Sequence, residues 1–218
     1  SIATRGSHKM TDQVFETMLS QLDKLGRHGF RGTLGPTFYN ESTMLGDRLV
    51  EMMTEARVHL PLAKLQVHSN GISLTPKLYG KLVGAGVDEV LVTKHQGASL
   101  KNLEAVQAEF PEEEKMGRLK VRILDKIKLW NRGGRLAIAP DRVLHAERCR
   151  MASNQLTLDY LGNVVFCCND FDTTHMHGNI SEREISEIWK DKEFVQAREQ
   201  ARRGLYTLAL CRKCMGVQ

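Results

Sequence analysis

The segment Gly162-Asn163-Val164-Val165-Phe166-Cys167-Cys168-Asn169-Asp170, together with the C-terminal Cys211-Arg212-Lys213-Cys214, decides the fold of this chain. Cys167 ends a predicted hairpin, and Cys149 lies upstream of it. Only a tertiary fold brings thiolates from these separated segments around one metal centre. The Met-, His- and charge-rich composition suits a reducing compartment, where C-x-x-C indicates a metal or redox site before a disulfide. The sequence therefore predicts a metal site whose candidate ligands are Cys149, Cys167, Cys211 and Cys214.

The spacing of these cysteines leaves the kind of metal open. Four thiolates suit structural zinc and a cuboidal 4Fe–4S cluster alike. Zinc sites usually draw on two close pairs, whereas this chain has one close pair, Cys211 and Cys214. That favours the larger cluster mildly, and disulfides or unrelated buried thiols remain alternatives.

Size and charge exclude several functions. The chain has 218 residues, is 41% hydrophobic and carries a formal charge of +5, which suffices for one or two hydrophobic cores. It has no run of about 18 apolar residues, so no membrane span is predicted. Its Lys and Arg residues are scattered and aromatic residues make up 6%, so nucleic-acid binding has no support. We expect a cytoplasmic protein without a nucleic-acid or membrane partner.

The first half of the chain alternates predicted helices and strands. Strands are predicted near residues 30–34, 65–68, 89–92 and 119–124, and helices separate them. This alternation predicts parallel βαβ units, whose ligands lie at the carboxyl ends of the strands. Polar groups follow three of these strands, namely Tyr39-Asn40-Glu41, Ser69-Asn70-Gly71 and Thr93-Lys94-His95. The pattern therefore predicts a ligand site at that edge.

The pattern changes after Trp130. A loop, Asn131-Arg132-Gly133-Gly134, is followed by a predicted hairpin that pairs residues 155–158 with 163–166. Helices are predicted from Ile185 and over residues 194–203. We therefore expect an α/β domain at residues 1–130 and a small cysteine-bound domain at residues 131–218.

These motifs together resemble the radical S-adenosylmethionine (SAM) enzymes that carry an auxiliary-cluster domain of the SPASM type, in its shortened "twitch" form. The resemblance rests on the four cysteines and on His177-Gly178-Asn179-Ile180 and Ile185-Ser186-Glu187-Ile188-Trp189. Tyr39-Asn40-Glu41 stands where the family has G-E-P, and Ser69-Asn70-Gly71 where it has T-N-G. The loops at residues 93–98 and 131–134 are similar to the branch that oxidises aminocyclitol alcohols.

The resemblance implies a partial (β/α)6 TIM-like radical SAM barrel followed by a twitch domain, a β-hairpin plus a helix. It implies that Cys149, Cys167, Cys211 and Cys214 bind an auxiliary 4Fe–4S cluster. It also implies that SAM is bound by Tyr39, Asn40, Glu41, Ser69, Asn70, Thr93 and His95, although a purely structural histidine is the alternative at His95. The family's C-x-x-x-C-x-x-C motif is absent from the sequence. We expect it, with a second 4Fe–4S cluster, on a segment before Ser1; a relative that naturally lacks it is the alternative.

The reaction that the resemblance implies is hydrogen-atom abstraction from a carbinol carbon of an aminocyclitol or sugar. Oxidation to a ketone would follow, with the auxiliary cluster as electron acceptor, in antibiotic biosynthesis. The expected partners are that small-molecule substrate and a reductant such as flavodoxin or ferredoxin. Arg132 would position the substrate, although an exposed loop cation is its alternative.

Three other functions remain open at this point. Cys168 follows a predicted ligand directly, and as a hydrogen-atom donor it would make the enzyme an epimerase of an aminoglycoside or sugar. A non-catalytic metal-binding accessory protein is an alternative from a different class. A peptide-modifying maturase is a third, although no segment of the sequence supplies a peptide-recognition domain.

Overall fold

The computed structural model describes residues 9–25, 29–37, 40–95, 100–124, 131–136 and 148–217. The chain forms two compact units, one of Leu22–Lys128 and the other of Ser1–Gln21 with Leu129–Gln218. The predicted domain boundary after residue 130 stays a prediction. Among the described residues, no helix has the length and apolar character of a membrane span.

The unit of residues 22–128 is built on a parallel sheet, as predicted. Its strands lie in the order β1 to β4, each parallel to the next: Thr33–Leu34, Lys64–Ser69, Glu89–Lys94 and Leu119–Ile123. The helices are α2 (Asp47–His59), α3 (Pro76–Gly84) and α4 (Lys101–Glu109), with a 3-10 helix at Ser42–Leu45. The strand predicted near residues 30–34 is shorter than expected, because Gly29, at φ +75°, and Gly32 interrupt the extended backbone before Thr33.

The side chains of β2 alternate between the hydrophobic core and the opposite face of the sheet. Leu65 and Val67 are fully buried, and the neighbouring β3 buries Val90 and Val92 on the same face. Gln66 and His68 point to the opposite face, which carries polar side chains. The carboxyl ends of β2 and β3 thereby carry Ser69 and Thr93 to the same edge of the sheet.

Glu89 is a buried carboxylate on that polar face. Its Oε2 accepts hydrogen bonds from Lys64 Nζ at 2.7 Å and Lys120 Nζ at 2.5 Å, and Gln66 donates to its Oε1. These bonds lower the pKa of Glu89 to about 2 although burial opposes the shift. The carboxylate thus joins β2, β3 and β4.

We expect Glu89→Gln to destabilise the protein by about 1–2 kcal/mol at pH 7. This is less than the energy that the pKa shift of Glu89 alone would give, because both lysines are about half exposed to solvent. The folded-state pKa lies below the unfolded value, so this stabilisation is present above about pH 4.5 and is lost as the pH falls toward 2. Urea unfolding at pH 7 and pH 3 measures it. Glu16→Gln, on an exposed helix face, is the control, and equal pH dependence of wild type and Glu89→Gln would contradict the prediction.

The second unit contains a three-stranded antiparallel sheet of β5 (Thr157–Leu158), β6 (Asn163–Val165) and β7 (Met176–Asn179). The predicted hairpin of β5 and β6 is confirmed with shorter strands. It turns at Gly162, at φ +83°, while Asp159 Oδ1 accepts from the backbone N–H groups of Leu161 and Asn163. The sequence analysis missed β7, because Met176-His177-Gly178-Asn179 lacks β-branched residues.

Four further helices complete this unit after residue 148 of the described chain: α5 (Met151–Asn154), α6 (Ile185–Lys190), α7 (Lys192–Arg202) and α8 (Ala209–Met215). The first helix of the chain, α1 (Asp12–Asp23), is tied to them through Gln21. Its amide donates to Ile180 O at 2.8 Å and accepts from Ile185 N at 2.7 Å. The sequence analysis assigned α1 to the barrel, and it did not predict α8, which carries Cys211 and Cys214.

Aromatic side chains form the core beneath β6 and β7. Phe194 is fully buried and stacks on the His177 ring with centroids 4.1 Å apart. Arg198 lies 3.6 Å from the centroid of the Trp189 ring and donates to the carbonyl oxygens of Phe194 and Trp189. Two carbonyl oxygens and the aromatic rings of Trp189 and Phe194 therefore stabilise this buried cation.

Candidate functional site

Glu41 organises the polar edge of the parallel sheet. It caps the 3-10 helix, with Oε1 accepting from Thr43 N at 3.3 Å and from Thr43 Oγ1 at 2.5 Å. Its Oε2 accepts from the backbone N–H of Asn70 at 2.6 Å. The carboxylate therefore links the loop after β1 to the loop after β2, two of the segments predicted to bind the same ligand.

The loop after β2 is held in a single shape by its own side chains. Ser69 Oγ accepts from Gly71 N at 2.9 Å, and Asn70 Oδ1 accepts from Ile72 N at 2.9 Å. Gly71 has φ +80°, and a Cβ there would lie 3.0 Å from Val92 Cγ1, so glycine is required. The turn brings the Ser69 hydroxyl within 3.3 Å of Thr43 Oγ1.

The remaining residues predicted to bind SAM are less tightly connected to this group. Asn40 donates to Pro36 O at 3.2 Å. Thr93 lies at the end of β3, and His95 follows that strand as an exposed residue. Tyr39 lies outside the described residues. The structure thus brings Glu41, Ser69 and Asn70 together and leaves the others around them.

The cysteines lie in the second unit, on three of its segments. Cys149 precedes α5, Cys167 and Cys168 follow β6, and Cys211 and Cys214 lie on α8. All five lie in the described part of the chain, and all are thiols rather than disulfides. The disulfide alternative is therefore not what this fold uses.

Burial controls the chemistry of these thiols. Burial, together with the neighbouring Cys149 and Cys214, raises the pKa of Cys211 to about 12. It also raises the pKa of Cys167, which interacts electrostatically with Cys168, Cys211 and Cys149. Cys167 and Cys211 thus interact with the other candidate ligands, and these two thiols stay protonated at neutral pH until a cationic centre displaces their protons.

Within the described residues, no three His, Cys, Asp or Glu side chains lie close enough to hold a single metal ion. A four-iron cluster offers a separate iron to each of four thiolates, and a zinc ion draws all of them to one centre. Four thiols brought near one another from separate segments, two of them buried and two partly exposed, are a donor set that fits the cluster.

The Asn131-to-Gly134 loop packs against the helix that carries Cys211 and Cys214. Asn131, which is 3% exposed, donates from Nδ2 to the carbonyl oxygens of Lys213 and Cys214, both at 3.1 Å. Gly133 has φ +67°, and a Cβ there would clash with Leu210 and lie 3.1 Å from the carbonyl oxygen of Asn169. The loop glycines therefore permit close contact with α8.

Gly133→Ala is expected to destabilise the protein by about 2–4 kcal/mol, because it adds overpacking to the strain of a positive φ. The melting temperature should fall by about 5–10 °C, as thermal unfolding measures. Gly117→Ala is the matched control, since Gly117 has φ +76° and a Cβ there would meet no atom of the described residues within 4 Å. Equal losses in the two variants would contradict the packing of the loop on α8.

Arg132 and Cys168, the two predicted catalytic residues, are neighbours. Arg132 adopts a left-handed backbone, at φ +54°, within the tight loop. Its charge lowers the pKa of the Cys168 thiol, against the larger raising effect of burial, and the side chain of Gln155 hydrogen-bonds that thiol. An exposed cation, a half-buried thiol and an amide therefore form one polar cluster beside Cys167.

The sequence analysis missed three functional candidates: Thr43, Asn131 as a partner of α8, and Asn169. Thr43 is 2% exposed and joins Glu41 to Ser69. Its spacing two residues after an acid is a local capping signal that was available in the sequence. The roles of Asn131 and Asn169 depend on contacts with residues 83 and 45 positions away in the sequence, which no local pattern reveals.

Comparison with known proteins identifies the cysteine region and the whole chain. Residues 149–215 match the SPASM family, an iron–sulfur cluster-binding domain. The chain is 32% identical over 214 residues to the S-adenosyl-L-methionine-dependent 2-deoxy-scyllo-inosamine dehydrogenase of Niallia circulans, covering 96% of this chain and 82% of that protein. The choice between zinc and an iron–sulfur cluster is thereby decided for the cluster.

Solved structures agree with the fold. The crystal structure of BtrN in complex with AdoMet and 2-DOIA matches with a TM-score of 0.84 and 28% identity, covering 95% of this chain and 81% of that one. Native anSMEcpe with bound AdoMet matches with a TM-score of 0.61 and 11% identity, covering 92% and 77%. At 11% identity the second match shows the fold alone.

Proposed function

The chain belongs to the radical SAM enzymes that carry a SPASM/twitch auxiliary-cluster domain, and we propose that it oxidises a carbinol carbon of an aminocyclitol or related sugar to a ketone. It is an oxidoreductase of that family, with SAM and an auxiliary 4Fe–4S cluster as cofactors. We infer the substrate class mainly from one observation, which is that the loop containing Arg132 packs on the helix of Cys211 and Cys214. That loop supplies a cation beside the proposed ligands, where a substrate hydroxyl is oxidised.

SAM binding is assigned to the polar edge of the parallel sheet. The ammonium group of SAM needs an acidic partner, and Glu41 is the acid there. Its carboxylate already accepts from Thr43 and Asn70, and its remaining lone pairs accept from the ammonium. Ser69 and Asn70 face the methionyl or ribose portion of SAM. Thr93 and His95 face the nucleoside, and Tyr39 and Asn40 complete the loop.

When bound, the reduced catalytic cluster and SAM supply a 5′-deoxyadenosyl radical, and the auxiliary cluster supplies an electron acceptor. Cys149, Cys167, Cys211 and Cys214 would hold that acceptor, and the burial of Cys167 and Cys211 limits the access of water to it. Arg132 binds and orients the substrate oxygens. Arginine is a poor general base, so Arg132 is proposed as a positioning group.

Epimerisation is the second candidate, and the position of Cys168 favours it. The thiol is half-buried and lies beside Arg132 and Gln155, where a substrate radical would form. Donation of its hydrogen atom to the carbon radical would restore a C–H bond with no net oxidation of the substrate. The Cys168 thiyl radical left behind would take up one electron from the reductant and one proton to return to the thiol. Oxidation remains the main proposal, since the relative of Niallia circulans is named as a dehydrogenase.

We place the protein in the cytoplasm, with flavodoxin or ferredoxin as the source of the electron that cleaves SAM. Neither nucleic acid nor membrane is a proposed partner.

The experiment uses the protein expressed from its complete gene and reconstituted anaerobically, with SAM, reductant and a panel of aminocyclitol alcohols in deuterated water. Ketone formation without solvent deuterium in the recovered alcohol supports the dehydrogenase. Deuterium in an inverted carbon, lost in Cys168→Ser, selects the epimerase. Failure to cleave SAM with any of these substrates contradicts both.

A further inference from the structure

Asn169 contacts two of the proposed cluster ligands from different segments of the chain. It follows Cys167 and Cys168 in the turn after β6 and is 4% exposed. Its backbone N–H hydrogen-bonds the thiol of Cys167. Its side-chain Nδ2 donates to Cys214 Sγ, with an N–S distance of 3.5 Å. A single buried residue therefore binds the sulfur of a ligand near β6 and the sulfur of a ligand on α8.

Packing fixes the position of this residue. A Cβ on Gly133 would lie 3.1 Å from the carbonyl oxygen of Asn169, so the Asn131-to-Gly134 loop packs directly against the backbone of Asn169. The following residue, Asp170, is 1% exposed and accepts from the backbone N–H groups of Thr174 and His175. The turn is thus held on both sides, and the amide has little freedom to leave the sulfur.

The direction of the amide follows from the chemistry of a bound ligand. A cysteine thiolate that coordinates iron has no proton and accepts hydrogen bonds only. The NH₂ group of Asn169 is then the end that faces Cys214. An N–H donor on a ligand sulfur stabilises the reduced cluster more than the oxidised one, because reduction adds negative charge to the cluster and its sulfurs.

We propose that Asn169 is a positioning residue that raises the reduction potential of the auxiliary cluster through the hydrogen bond from its side-chain amide to Cys214. This inference rests on the ligand assignment made above. A higher potential makes the cluster a better acceptor for the electron released when the substrate is oxidised. The chain thereby adjusts its electron acceptor with a residue that is not itself a proposed ligand of the cluster.

The test is an EPR-monitored redox titration of the reconstituted full-length protein. The signal that disappears in Cys211→Ser identifies the auxiliary cluster. In Asn169→Leu the equilibrium constant for reduction of the auxiliary cluster should fall about tenfold. For a one-electron couple this corresponds to a reduction potential that is lower by about 59 mV. Asn169→Ala removes the same donor with less bulk and should shift the potential in the same direction, which keeps the test valid if the leucine variant does not take up the cluster.

Asn131→Leu is the matched control. Asn131 is as deeply buried and binds the carbonyl oxygen of Cys214. Its replacement should lower stability and leave the potential of the loaded cluster at the wild-type value. An unchanged potential in both Asn169 variants, or an equal shift in Asn131→Leu, overturns the inference. If Cys211→Ser loses no signal, the ligand assignment fails instead, so the two failures are distinguishable.

Discussion

Replacement of Cys211 by serine is expected to abolish ketone formation and to leave SAM cleavage in place. Cys211 is 9% exposed on α8 and interacts electrostatically with the proposed ligands Cys149 and Cys214. Loss of groups that only support ligands typically lowers activity 10- to 100-fold, so loss of a ligand should lower product formation by more than about 100-fold. Iron content should fall by about four atoms per chain. The measurements are iron analysis and quantification of ketone and 5′-deoxyadenosine.

The adjacent-thiol control for this prediction is Cys168→Ser. Cys168 is a half-buried cysteine of the same unit as the buried Cys211, but it is not among the proposed ligands. This variant should retain the iron that Cys211→Ser loses. Equal iron loss in both variants, or full iron retention in Cys211→Ser, would contradict the assignment of the cluster ligands.

Glu41→Gln is expected to weaken SAM binding by about 10- to 100-fold, because a charge-assisted hydrogen bond to the ammonium is replaced by a neutral one. The formation of 5′-deoxyadenosine at low SAM concentration should fall by a similar factor. The amide is close to the carboxylate in size and still has an oxygen for the Asn70 N–H, so the loop is expected to keep its shape. Equilibrium binding of SAM measures the effect directly.

Glu51→Gln controls for a general loss of negative charge. Glu51 lies on α2 and pairs with Arg48 at 3.2 Å in an exposed salt bridge. Such pairs contribute little, so SAM affinity should stay within about twofold of wild type. If Glu41→Gln bound SAM as tightly as Glu51→Gln, Glu41 would have only its structural role in joining two loops.

Local sequence patterns were sufficient for the parallel sheet and for the approximate position of the site. The alternation at Leu65 and Val67 and the signals at Thr75-Pro76 predict β2 and α3 from neighbouring residues alone. The carboxyl-end rule then places Glu41 and Ser69 at one edge. Thr43, which connects them, was missed because its role depends on a contact across 26 residues.

The structure of the second unit depends more on contacts between residues that are far apart in the sequence, and local patterns do not predict such contacts. The family resemblance identified the four cysteines, but the helix of Cys211 and Cys214 has no long apolar periodicity. Gln21 joins α1 to residues 159 and 164 positions away, and Asn169 reaches Cys214 across 45 residues. These contacts form only when the chain has folded, which is why the roles of Gln21 and Asn169 were not predicted from the sequence.

The most direct measurement follows deuterium from the carbinol carbon of the substrate. Full-length enzyme is incubated with SAM, reductant and an aminocyclitol carrying deuterium at the carbon to be oxidised, and both products are quantified. Direct abstraction predicts one deuterium in 5′-deoxyadenosine and one ketone for each 5′-deoxyadenosine formed. Unlabelled 5′-deoxyadenosine alongside the ketone, or no ketone while SAM is cleaved, would contradict the proposal that this chain oxidises a carbinol carbon by hydrogen-atom abstraction.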